Sequence, residues 1–276
     1  MKEFRALISN QLTRLLALAV LASLAGVCCA QASDQNPMEI ATRLMRQQIG
    51  LDAAAPTVKN PDGLKIKFSR IGDVQLPDGN FVRYRLLIPG APEKQGYNLA
   101  IWRIGAKVKI SNSLVYVNAK GLVMSHLPNP DQENNDSLQK PDEIEVDLDA
   151  ARGEPIRYML SSPDGRFFFP GTIVLHPIEA KDGKCRLEAR LGLPEGQFVL
   201  LYGDGLTPFS HVPVQAVSEG ETHTPIMTVD AQGHGVASIA PYVAGKETGT
   251  AKISLATTGC SVSVDVPWGK GTYHRY

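Results

Sequence analysis

The sequence predicts an all-β protein: two antiparallel β-sandwiches in tandem, preceded by an export leader and a short helix. Three observations carry this. From Leu64 onward, apolar and polar residues alternate with a period of two, the period of a half-buried strand. Short apolar runs are punctuated by Gly, Pro, Asp and Asn at intervals of roughly 8 to 12 residues, the rhythm of small sandwiches. Two cysteines, Cys185 and Cys260, stand at either end of the most regular stretch. The expected division is 1–32 leader, 33–63 helix and linker, 64–177 first sandwich, and 178–276 second sandwich.

The 276-residue chain is 43% hydrophobic and 20% charged, enough apolar matter for a packed core and against global disorder. Basic and acidic residues number 28 each, so no charge excess points to nucleic acid or to a strongly charged partner. Lys2, Arg5 and Arg14 precede a 13-residue apolar run at 15–27, and Ala30-Gln31-Ala32 then offers a cleavage site. That run has the length of a signal h-region and is short for a bilayer span. Cleavage after Ala32 takes three bases and one acid from the 28 of each, leaving a net of −2 and no later apolar run of spanning length. The product is expected to be exported, to the periplasm or beyond the cell. Cys28 and Cys29 raise lipid anchoring as an alternative, but Val27 and the position of Leu24 depart from the lipoprotein pattern, which favours ordinary cleavage. Cys185 and Cys260 then remain in an oxidising compartment as an even pair, and a disulfide is expected.

Asn36-Pro37-Met38-Glu39 has the order of a helix start, with an apolar stripe at Met38, Ala41, Leu44, Met45 and Ile49 and a stop at Gly50. Asn60-Pro61-Asp62-Gly63 closes a linker. In the first half, Leu64, Ile66 and Phe68 form one alternating strand. Pro77-Asp78-Gly79-Asn80 is a turn, and Val82, Tyr84, Leu86 and Ile88 form the next strand. The more continuous run from Tyr97 reads as a central strand. Asn118-Ala119-Lys120-Gly121 and Ser162-Pro163-Asp164-Gly165 read as hairpin turns. Residues 128–142 are polar and unpatterned, a long surface loop. Its carboxylates lack the Gly and closing Glu of an EF-hand. Asn135-Asp136-Ser137 in the same loop is a short glycan-acceptor pattern. In a loose internal overlay, Tyr84-Arg85-Leu86 matches Cys185-Arg186-Leu187, and Tyr97–Ile101 matches Phe198–Tyr202. The overlay places the disulfide between the opening and closing strands of the second half.

Residues 185–266 carry a recognisable order: Gly203-Asp204-Gly205-Leu206-Thr207-Pro208, then Gly220-Glu221, then Asp230-Ala231-Gln232-Gly233. This resembles the Ig-like modules of exported bacterial proteins. The resemblance implies an Ig-like fold for both sandwiches. It brings no catalytic residues, because that fold hosts stalks, spacers and carbohydrate binders alike.

The chemistry-bearing residues are sparse. G-x-S-x-G, H-E-x-x-H and nucleotide-binding glycine runs are missing from the sequence, and the six histidines are scattered. His211 and His223 flank an expected hairpin and are read as a pair that could meet across strands. Asp147 and Asp149 share a strand face, and Trp102 is read as core. Trp268, Tyr273 and Tyr276 cluster near Lys270, His274 and Arg275, a candidate platform for a sugar ring or a partner protein. The expected function is therefore a non-enzymatic exported binding or structural module of the cell envelope. Neither cofactor nor metal is expected, and the partner is an envelope protein or a glycan. Two alternatives stand beside it: a carbohydrate-binding protein using those aromatics, and a periplasmic hydrolase with its site at the 128–142 loop or the domain junction.

Overall fold

The computed structural model describes residues 63–126 and 143–273. The leader, the expected helix at 36–49, the linker, the 128–142 loop, His274 and Tyr276 lie outside the described residues. Within them the protein is all-β, built from antiparallel sheets.

The first half contributes nine strands: β1 (Lys67–Leu76), β2 (Gly79–Leu87), β3 (Gly96–Trp102), β4 (Lys109–Ile110), β5 (Val115–Val117), β6 (Val123–Met124), β7 (Glu145–Leu148), β8 (Pro155–Ser161) and β9 (Phe168–Val174). A three-stranded sheet runs β1-β2-β7, and a second runs β6-β5-β3-β8-β9 with β4 on β3. They enclose one core, with Leu86 and Leu148 from the first sheet and Ile88 just beyond β2 against Tyr97, Leu99, Val115, Ile156, Tyr158 and Phe169. β3 is central, as its continuous apolar run requires. The expected turns are present. Asn118 Oδ1 accepts the backbone N–H groups of Lys120 and Leu122, and Gly121 takes φ +78°, the left-handed region in which a side chain is strained.

Acidic side chains stitch these sheets. Arg83 and Asp147 face each other across β2 and β7 and form two parallel bonds of 2.6 and 2.8 Å, so the Asp147 carboxyl sits below the usual carboxylate range. In the β8–β9 turn, the Ser162 hydroxyl and then the Arg166 backbone N–H bond to Asp164 and hold it at about 2. Both groups titrate lower folded than unfolded (about 3.9), so their stabilising contribution is complete above about pH 4 and is lost as pH falls toward 2. The urea midpoint should be flat between neutral pH and about pH 5 and then fall through that window. Asp164→Asn should shrink the fall, and an unchanged acid slope in that variant would remove Asp164 from the account.

The second half is a nine-stranded sheet: β10 (Ile178–Asp182), β11 (Cys185–Leu191), β12 (Val199–Asp204), β13 (His211–Ser218), β14 (Glu221–His223), β15 (Ile226–Val229), β16 (Gly235–Ile239), β17 (Thr248–Thr257) and β18 (Cys260–Gly269). Its path is β10-β11-β12-β16-β15-β13-β17-β18, with β14 on β13. β13 alternates exposed and buried residues without a break, but changes partners midway. Residues 211–213 pair with β15, and residues 214–218 pair with β17. The sheet folds over there, and its two arms enclose a core that includes Leu187, Leu201, Val214, Met227, Ile253, Val264 and Trp268. One arm is β10-β11-β12-β16-β15, and the other is β13-β17-β18 with β14 on β13.

Cys185 and Cys260 stand at disulfide distance, with Cα atoms 5.7 Å apart, tying β11 to the last strand. The opening strand is β10, so the clamp engages the second strand of this half where the sequence overlay expected the first. That overlay also fails in pairing. β11 and β12 are hydrogen-bonded neighbours, but their counterparts β2 and β3 lie in different sheets. Among the described residues the halves share no strand pair. They meet where Gly153 N–H donates to His176 O and Leu191 N–H donates to Gly153 O.

Candidate functional site

β13, β14 and β15 form one long hairpin. The pairs Ser218↔Glu221, Ala216↔His223, Pro213↔Ile226 and His211↔Thr228 keep a single register. The two-residue turn Glu219-Gly220 has positive φ at both positions (48° and 87°), the conformation that matches strand twist in tight hairpins. The outgoing arm, β14 into β15, then meets β16 at only two pairs, Thr228↔Val236 and Val229↔Gly235. Beyond Val236, β16 keeps β12 as its only partner strand and parts from β15.

A cleft of about 550 Å³ opens in this wedge. Glu221, His223, Thr224 and Pro225 form one wall, Ser238, Ile239 and Ala240 the other, and Tyr242 and Ala244 the rim. Residues directly opposite across a pair project to the same face. Glu221 and His223 therefore share the inward face with buried Ser218 and Ala216, yet are about half exposed because no strand of the other arm covers them. Their side chains approach to 3.7 Å. Buried Ile239 supplies the apolar floor. Tyr242 is 54% exposed because its neighbours Pro241 and Val243 are both buried, Val243 in the main core. Anchoring on both sides turns the ring outward over the cleft mouth.

The backbone at this cleft also has a direction. In an antiparallel ladder, successive residues turn their N–H and C=O alternately toward one neighbour and the other. Val214 N–H donates to Pro225 O at 2.9 Å, so Pro225, and with it His223 and Glu221, faces β13. Thr222, Thr224 and Ile226 consequently face away from β13, along the side on which Thr228 pairs with Val236. On the opposite wall, Asp230 N–H donates to His234 O at 2.8 Å, which sets His234, Val236 and Ser238 toward β15. Both walls turn backbone groups into the opening.

The residues singled out from sequence fall elsewhere. Trp268 is 1% exposed and donates from Nε1 to Ser218 Oγ at 2.8 Å, which corrects its reading as a binding platform. It lies in the alternating series Val262, Val264, Val266, all core-facing. Tyr273 is partly buried, donates its hydroxyl to Pro267 O, and packs on the same core, and burial pushes its pKa up. Tyr276 lies outside the described residues. His211 and His223 do not meet: His223 opposes Ala216, five residues along β13 from His211, about 16 Å of strand. Asp147 is held by Arg83 and Asp149 by Arg103, which also grips buried Glu154. Trp102 is half-buried beneath the guanidinium of Arg157 at 4.7 Å. The second half carries similar pairs. Glu188, 1% exposed, lies between Arg186 and Arg190, and Arg190 covers the ring of Tyr202 at 4.3 Å.

Among the described residues, no three His, Cys, Asp or Glu side chains gather as metal ligands, and no helix is long and apolar enough to cross a membrane. No protein-family model matches the chain, and no curated protein is detectably similar to it. The class defined by fold and site is an all-β protein whose second half is a folded-over antiparallel sheet with an open cleft along one side.

Proposed function

We propose that this chain is an exported, non-enzymatic binding module of the cell envelope and that it engages its ligand through the cleft between β14 and β16. The observation that carries the reading is Tyr242, an anchored yet outward-facing aromatic at the mouth of a cleft with an apolar floor and polar walls. Recognition sites commonly combine a rigid aromatic with a few placed polar groups. Two features support export and the Ig-like class: the leader pattern of residues 1–32, and the strand order β11-β12-β16-β15 in one arm and β13-β17-β18 in the other, which is the order of a constant-type Ig sandwich with β10 and β14 added at the edges.

Tyr242 also favours a second reading, binding of a glycan. Its ring stands beside Ser238, Thr224, Glu221 and His223, which supply hydrogen-bonding groups at the edge of a stacking surface. The carbohydrate platform is thereby moved from Trp268 to Tyr242.

One experiment addresses both readings. The full chain, expressed with its own leader and immobilised, is challenged with envelope extract, and bound proteins and glycans are identified by mass spectrometry. Saturable binding should weaken by about tenfold or more in Tyr242→Ala, the ordinary scale for truncating an aromatic anchor. The melting temperature should change little, because that ring is 54% exposed and outside the core cluster. Binding that survives Tyr242→Ala would move the site away from this cleft, and the absence of saturable binding would remove the binding-module reading.

A further inference from the structure

The unpaired backbone along β14 and β15 narrows what the cleft accepts. We infer that it takes an extended peptide segment as an added β-strand, laid along Thr222, Thr224 and Ile226. This deepens the reading above and rests on it.

Three observations converge. First, the outward series Thr222, Thr224 and Ile226 presents N–H and C=O groups at strand spacing, with no partner strand among the described residues until Thr228 meets Val236. A second extended chain is the ligand whose own groups repeat at that spacing. Second, natural sheet edges are commonly protected by proline, bulges or lysine. Here Pro225 sits in the other series, where its missing N–H would have faced β13, so it does not block the free side. Pro213 on β13 opposes Ile226 and likewise leaves that side intact. By contrast β1, an edge strand of the first half among the described residues, carries a register shift between Arg70 and Gly72 and an Arg70–Asp73 ion pair. Third, the opposite wall turns Ser238 inward, so a strand entering the wedge meets backbone groups on both sides.

The side chains set a preference. Residues of the added strand that project inward meet Ile239, Tyr242, His223 and Glu221. An aliphatic or aromatic residue suits the first two, and a lysine or arginine two positions away suits Glu221. Residues on the outward face lie beside Ile226, 54% exposed, and the two threonines. The partner is thus a protein segment of about five to seven residues in extended form, apolar at one inward position and basic at the next.

The test uses the full chain and a displayed library of random decapeptides. Enriched peptides are resynthesised, each with backbone N-methylation at successive positions. Strand addition predicts that methylation at every second position abolishes binding while the intervening positions tolerate it. It predicts protection of the Thr222, Thr224 and Ile226 amides from hydrogen exchange in the complex. It also predicts that Thr224→Pro weakens binding at least tenfold with little change in melting temperature, because that N–H takes no part in the β13 ladder. Thr224→Val, which removes the hydroxyl and keeps the N–H, should bind at least tenfold more tightly than Thr224→Pro. Peptides that bind without the alternating methylation pattern, and that are lost in Tyr242→Ala but not in Thr224→Pro, would overturn strand addition and leave the cleft as the binding site. Failure to enrich any peptide, with saturable binding of envelope glycans lost in Tyr242→Ala, would overturn the peptide and keep the binding module. Neither kind of binding would overturn both.

Discussion

Replacing Trp268 by alanine is expected to lower the unfolding free energy by about 3 to 5 kcal/mol, the range for removing a buried tryptophan or phenylalanine. The ring is 1% exposed at the end of β18, and Gly249 on β17 lies so close that a Cβ there would come within 2.5 Å of the indole. Little of the vacated space could be filled without moving both strands. The Nε1 donor is satisfied by Ser218, itself 1% exposed, at the close of β13. Trp268→Phe keeps much of the volume and removes that bond, and should cost about 1 to 2 kcal/mol. Denaturant midpoints at constant m-value would check both. An alanine variant as stable as the parent would mean that Trp268 is not the core residue its packing indicates. Because Tyr242 is exposed and Trp268 is buried in the core, the pair of variants separates loss of binding from loss of fold.

Removing the Cys185–Cys260 link should destabilise by about 4 kcal/mol in the chain-entropy account. The figure follows from a sequence separation of 75 residues. The loop contains β11 to β17, so the unfolded chain regains freedom over most of the second half when the link is cut. Against a typical total of about 5 to 15 kcal/mol this is a large share. The oxidised parent compared with Cys185→Ser/Cys260→Ser measures it, and the reduced parent separates the cost of the substitutions themselves. Similar urea midpoints for the parent before and after reduction would show that the link contributes little. Both sulfurs are buried, so a double alanine variant checks that the serine hydroxyls are not themselves the cost.

How much of this was legible in the residues depended on how local the cause was. Val212, Val214 and Ala216 alternate with His211, Pro213 and Gln215, and the structure buries that series, while Val217 and Ser218 reverse the polarity and keep the period, Val217 exposed and Ser218 buried under Trp268. Turns with Asn, Asp and Gly at fixed offsets were equally plain. Trp268 was legible too, since it continues the series Val262, Val264, Val266. The polar tail after it drew the reading toward exposure, whereas the strand period decided the matter. The cleft was different. It exists because β16 leaves β15 after two pairs and follows β12, a choice between competing partners far apart in sequence. Glu221 and His223 gave no sign of it, being ordinary polar residues after a turn. Tyr242 carried one faint signal, a polar-tipped aromatic between Pro241 and Val243, which only burial of both neighbours converts into a presented ring.

β13 has one more consequence. Because the same eight residues serve both arms, its unbroken alternation acts as a common ruler. A slip of one residue against β15 would turn Val212 and Val214 outward for β17 as well, so an error made in one arm is charged against the core of both. Proofreading of strand register is thereby built into a single segment, and the chain can leave one side of β15 open without losing track of which face is in.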